Sequence, residues 1–129
     1  MAGMSRRQRT TLLGVVLALC LGAIALEAQT KAVRRLYDNW ILDNRGHYLP
    51  CDRLPGEAEV RLVLQQHADT VQAIERVNPG LVGADMDTST CPGKADLVIW
   101  YASHPNRLAI EKIIGSDTFF GIPYRLENR

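Results

Sequence analysis

The chain has 129 residues, which suits one modest domain, and its 22% charged and 47% hydrophobic residues exclude a disordered polyelectrolyte. Formal net charge is +1, and beyond Leu26 twelve Lys and Arg stand against fourteen Asp and Glu, a balance of −2. No basic face of the kind that neutralises phosphates stands out, so nucleic acid is not an expected partner.

Residues 1–9 form a basic tail with Arg6, Arg7 and Arg9 and no acid. Residues 10–26, TTLLGVVLALCLGAIAL, carry no charge. A spanning helix needs about 20 apolar residues, with about 17 as the lower limit. Two readings follow: an uncleaved signal anchor, or a signal peptide cut after Ala25 at the small-x-small site Ala23-Ile24-Ala25. The anchor is preferred because the helical pattern does not stop there. Val33, Leu36, Tyr37, Trp40 and Ile41 recur at the spacing of one helical face, and neither Gly nor Pro interrupts Ala23 to Leu42. One helix is expected from the bilayer to about Asp43, ended by Asn44-Arg45-Gly46. The leading Arg cluster predicts a cytoplasmic N-terminus and an extracytoplasmic C-terminal domain, although Lys31, Arg34 and Arg35 follow the span. A twin-arginine signal is set aside because Arg9 and Thr10 replace the apolar residues it needs. A lipoprotein reading of Cys20 fails because Leu19 holds the small-residue position.

The expected division is a tail at 1–9, a transmembrane or signal segment at 10–26, a juxtamembrane amphipathic helix at 27–46 and an α+β domain at 47–129. Turn clusters at Asn44-Arg45-Gly46, Leu54-Pro55-Gly56, Asn78-Pro79-Gly80 and Cys91-Pro92-Gly93 punctuate that domain. His47–Cys51 reads as a short first strand. Glu57–Val77 reads as one long helix with Val60, Leu64, Val71, Ile74 and Val77 inward. Leu81–Thr88 alternates and reads as a strand with one wet side. Asp96–Ala102, apolar on both faces, reads as a central covered strand. Pro105–Ile114 reads as a short helix capped by Ser103 or His104 and ended by Gly115. Thr118–Leu126 reads as a last strand, placed at an edge because Pro123 lacks a donor. The order implies a ferredoxin-like βαββαβ arrangement, or an αββαβ version without the first strand, with both helices on one face of an antiparallel sheet.

That topology places the end of the first strand beside the turn into the third, so Cys51 and Cys91 are a disulfide candidate. The bond would suit an exported domain and would close a loop of about 40 residues.

No catalytic, cofactor-binding or metal-binding motif is recognised. His47, His67 and His104 have no ligand spacing with one another or with a cysteine. His67 lies on the apolar stripe of its helix and reads as a core residue. The run Asp85-Met86-Asp87 starts like a calcium loop, but Thr90 stands where the sharp turn requires Gly. The expected function is a single-pass, membrane-anchored accessory or assembly subunit. It would be held in the lipid bilayer by residues 10–26. Val33, Leu36, Tyr37, Trp40 and Ile41, with the uncovered apolar side of the central strand, would meet partner membrane or envelope proteins or a second copy of the chain. The alternatives are a small exported enzyme using His104 with a cysteine or the Asp85/Asp87 pair, and a secreted ligand-binding or inhibitory module released after Ala25.

Overall fold

The structure, a computed structural model, describes residues 5–129; the first four residues of the basic tail lie outside the described residues. The chain divides into two compact units, Met1–Arg34 and Arg35–Arg129.

In the first unit, α1 (Arg6–Thr30) begins with a capping box. Ser5 Oγ accepts from the Gln8 N–H, and the Gln8 side chain accepts from the Ser5 N–H. None of its residues is buried, and by length and composition it can cross a membrane. Its 25 residues reach roughly 37 Å at 1.5 Å per residue, more than the ~30 Å hydrocarbon core.

The expected unbroken helix to Asp43 is corrected. Lys31 takes a left-handed conformation (φ 53°) and ends α1, and α2 (Ala32–Trp40) starts immediately after it. The cause is local side-chain chemistry without Gly or Pro. The Glu27 carboxylate accepts from the Val33 N–H (2.7 Å) and the Arg34 N–H (3.1 Å), satisfying donors that a helix start leaves open. The chain then turns at Asp43, also left-handed (φ 54°).

In the second unit the core forms where helices α3 (Glu57–Gln66), α4 (Ala68–Glu75) and α5 (His104–Ile114) cover one face of a four-stranded sheet. The strands are β1 (Val82–Asp87), β2 (Asp96–Tyr101), β3 (Thr118–Phe119) and β4 (Ile122–Asn128), in the order β1-β2-β4-β3. Val60, Ile74, Leu97, Ile99, Tyr101, Ile110, Phe119 and Leu126 are fully buried there. The helix expected over 57–77 is divided at His67, whose ring stacks on Phe120 at 3.4 Å between centroids and meets Phe119 edge-on. Val60 on one half and Ile74 on the other both reach the core.

The α+β class holds, but the sheet is mixed. The β1–β2 hairpin is antiparallel, whereas β2 and β4 run parallel, from Leu97↔Tyr124 to Tyr101↔Asn128, joined through α5. No strand forms over 47–51, so the two strands it would have separated lie side by side. The segment is short, Tyr48 is left-handed (φ 57°) and Pro50 has no donor, which together prevent a continuous ladder. The nearest pairing lies just upstream of it, the single antiparallel bridge Arg45↔Leu126. The last strand is likewise not an edge. It is a hairpin whose two-residue turn, Phe120-Gly121, has both φ values positive, and β4 lies inside the sheet. Pro123 is tolerated because the pairing with β2 begins one residue later, at Tyr124.

Gly83 is required by its cross-strand partner. The Trp100 ring lies across it, and a Cβ at Gly83 would stand 2.2 Å from Trp100 Cζ2. Gly83→Ala is expected to lose about 1–3 kcal/mol through overpacking, read as a lower denaturant midpoint. An unchanged midpoint would mean that Trp100 swings aside freely.

Candidate functional site

Helix α2 is amphipathic in an unusual sense, because its polar side is the one tied to the folded unit. Asn39 Oδ1 accepts from Arg107 Nη2 (2.5 Å), Asp38 Oδ2 accepts from the Tyr48 hydroxyl (2.6 Å), and the Arg35 guanidinium lies over the Tyr48 ring. Val33, Leu36, Tyr37, Trp40 and Ile41 are all exposed, Trp40 at 78%. Leu36, Tyr37, Trp40 and Ile41, the four candidates that belong to the folded unit, therefore form one uncovered apolar side.

The anchor of this arrangement is Arg107 on α5, buried at 6% exposure. Its Nη1 donates to Asp43 (2.9 Å) and its Nε to Glu111 (3.1 Å), while His104 Nδ1 lies 2.7 Å from the same Asp43 carboxylate. The Tyr101 hydroxyl donates to the Asp43 carbonyl. Burial, with the Asp43 charge beside it, pushes the Tyr101 hydroxyl pKa up, so it remains a donor. His104 is thus the first residue of α5 and a partner of Asp43.

Residues 43–56 run as a strap along the sheet. Asn44 meets Asn128, Arg45 pairs with Leu126, His47 Nε2 lies 2.8 Å from Asp96, Cys51 is bonded to Cys91, and the Pro55 carbonyl accepts from Ala95. The contacts follow chain order from the carboxyl end of β2 and β4 to the amino end of β2. The disulfide expected from topology is present, with Cα atoms 5.5 Å apart. An enzyme using His104 with Cys51 or Cys91 therefore has no thiol at either position. Between the strap, α2, α5 and β4 lies an open cleft of about 700 Å³, lined by Arg35, Leu36, Asn39, Arg45, Tyr48 and Tyr124 among others.

The face of the sheet away from the helices is not the open apolar surface expected from β2. Val98 is only 6% exposed, flanked in register by Asp85 and Arg125. Trp100 covers Gly83, and its Nε1 donates to Asp85 (3.4 Å). Asp87 and Asp96 stand directly opposite each other, and Arg125 bridges them at 2.5 and 2.6 Å while also reaching Glu127. Burial pushes the Asp96 carboxyl up, but hydrogen bonds from His47 and Arg125 outweigh it and hold the pKa below the usual range. Thr90, Ser89 and Arg125 lower Asp87 further, against the opposing effect of burial. The Asp85-Met86-Asp87 segment is therefore strand, and Asp87 closes its turn by accepting from Ser89 and Thr90. Among the described residues no group of three or more His, Cys, Asp or Glu is arranged to hold a metal ion.

Sequence reasoning missed Arg107, Asp43, Arg125 and the strap. A usable signal existed for Arg125. A hairpin over 82–87 and 96–101 puts Asp87 opposite Asp96, and two facing carboxylates demand a cation from the next strand.

Comparison of the chain with protein-family models, with curated proteins and with solved structures finds no match.

Proposed function

We propose that this chain is a single-pass, membrane-anchored accessory or assembly subunit whose α+β domain lies outside the cytoplasm and binds partner proteins through the outward side of α2. The observation that carries the reading is the orientation of that helix. Its polar side is bound to Arg107 and Tyr48, leaving Leu36, Tyr37, Trp40 and Ile41 exposed together. Uncovered apolar groups of this size on one face call for a partner. Support for the anchor comes from α1, long and apolar enough to span a bilayer, and support for export comes from the Cys51–Cys91 bond, which suits an oxidising compartment. The cytoplasmic N-terminus is supported by position, since Arg6, Arg7 and Arg9 lie closer to the uncharged segment than Lys31, Arg34 and Arg35 do.

The test is purification of the full chain from native membranes in mild detergent through a C-terminal tag, with mass spectrometry of what accompanies it. Wild type is expected to carry a fixed set of membrane or envelope proteins. Trp40→Asp is expected to lose them at least tenfold, as for a central aromatic contact worth about 2 kcal/mol or more. An unchanged set with Trp40→Asp would remove α2 as the docking surface.

A further inference from the structure

We propose that β1 is a receiving edge, which takes an extended, basic segment of a partner protein as an added strand. The site lies wholly within Arg35–Arg129 and does not involve α2, so it goes beyond the reading above. β1 stands at one end of the sheet, paired with β2 alone. The direction of its main-chain groups follows from two bonds. The Val82 N–H donates to the Asn78 carbonyl, and the carbonyl of its register partner Tyr101 accepts from the N–H of Arg129, which follows β4. Val82 and Tyr101 are therefore not the hydrogen-bonded kind of pair. The two kinds alternate along an antiparallel ladder, so Gly83, Asp85 and Asp87 bond β2, while Ala84 and Met86 turn their N–H and C=O groups outward. Among the described residues no backbone bond from outside the ladder meets those four groups.

Such an edge is ordinarily blunted by proline, lysine, a bulge, shortness or a cover. β1 (VGADMD) has neither Pro nor Lys, and its six residues pair consecutively with β2 without a bulge. The opposite edge is different: β3 has two residues, and past it Arg45 closes on Leu126. A row of outward N–H and C=O groups is complemented by an extended main chain. Charge selects which one. Asp85 is exposed on the face away from the helices, and its hydrogen-bond partner is the Trp100 indole at 3.4 Å. No cation pairs with it among the described residues. Against an added antiparallel strand Asp85 falls in the non-hydrogen-bonded kind of pair, where side chains come closest. Asp87 follows on the same face, and the groove beside Val82 adds Glu75 with a single cation, Arg76, whose Nη2 donates to Gln72. A second β1 would bring like charges to this acidic edge, which is destabilising, whereas Lys or Arg opposite Asp85 is attracted. The occupant is thus a partner's strand with basic residues on its solvent side and apolar residues beside Ala84 and Met86.

The experiment is amide exchange on the full chain in detergent micelles, with acetyl-Val-Lys-Val-Lys-Val-amide as the probe. Without it, Gly83 and Asp85 are expected to exchange slowly and Ala84 and Met86 fast. The peptide should slow Ala84 and Met86 several-fold. Methylating the valine nitrogens, which face β1, should weaken binding at least about tenfold by removing main-chain donors. Glutamate in place of both lysines should weaken it several-fold, and Asp85→Lys should reverse that preference. Ala84→Pro, at a nitrogen that makes no bond to β2, should abolish the protection of Met86. Asp85→Lys changes an exposed side chain and keeps the test decisive should Ala84→Pro not fold. Equal binding of the methylated peptide, or a lysine preference that survives Asp85→Lys, overturns the proposal. So does protection of Ala84 and Met86 without peptide: independent of concentration it means a closed edge, and rising with concentration it means that the occupant is a second copy. Trp40→Asp should leave the peptide's effect unchanged, so this edge and the α2 surface stand or fall separately.

Discussion

Replacing Arg125 by Met lowers folding stability by about 3–5 kcal/mol, the usual cost of stripping one partner from a buried ion pair. The loss comes from what is left behind. Asp96 is 3% exposed and faces Asp87 across the β1–β2 ladder. With the guanidinium gone, two facing carboxylates remain in a poorly solvated site, and His47 alone contacts Asp96. Methionine keeps most of the side-chain volume, so the effect reports charge more than packing. Adding Asp87→Asn to Arg125→Met should recover a substantial part of the loss, since it removes the repulsion that the arginine neutralised. The pH dependence has a definite sign. Both carboxyls titrate below their unfolded value of about 3.9. Their ionised forms therefore stabilise the fold fully above that value, and the contribution is lost as pH falls through the lower folded values. The gap between wild type and Arg125→Met should thus be widest near neutrality and shrink as pH falls and the carboxyls left without the guanidinium take up protons. Chemical unfolding of both proteins from pH 7 to pH 3 checks this; a gap independent of pH would mean that packing, not charge, accounts for the loss.

Removing the Cys51–Cys91 bond is expected to cost about 2–4 kcal/mol, from loop-closure entropy returned to the unfolded chain. The bond closes a separation of 40 residues that includes α3 and α4. It also fastens one end of the strap, whose other end is held by Asp43 and Asn44. A Cys51→Ser/Cys91→Ser chain should therefore fold, with a lower denaturant midpoint and faster amide exchange at Arg45 and Leu126, which bond each other across the strap. Equal exchange there in both proteins would show that the polar contacts hold the strap unaided.

Much of this architecture was legible in the residues. The long apolar helix near the N-terminus, the β1–β2 hairpin and α5 with its Gly115 stop follow from periodicity and turn residues, whereas the cysteine pair was reached through a first strand that does not form. The failures have particular causes. The break at Lys31 comes from a carboxylate four residues upstream bonding amides beyond the turn, which no Gly or Pro announces. The first strand fails because Tyr48 adopts a left-handed conformation that a tyrosine does not advertise. With that strand absent, β2 pairs in parallel with β4, a long-range choice that local pattern does not encode. Val33, Leu36, Tyr37 and Trp40 of α2, with Ile41 just past its end, were readable as one face, but not which way the helix is turned. That depends on Arg107, 68 positions from its partner Asn39.

The outward turn of α2 is the claim on which the functional reading stands, and photo-cross-linking in native membranes tests it most directly. A photoreactive residue is placed at position 36, 39 or 40 of the full chain. Adducts to another polypeptide from 36 and 40, with none from 39, are the expected result. Adducts from 39 with none from 36 and 40 would contradict it.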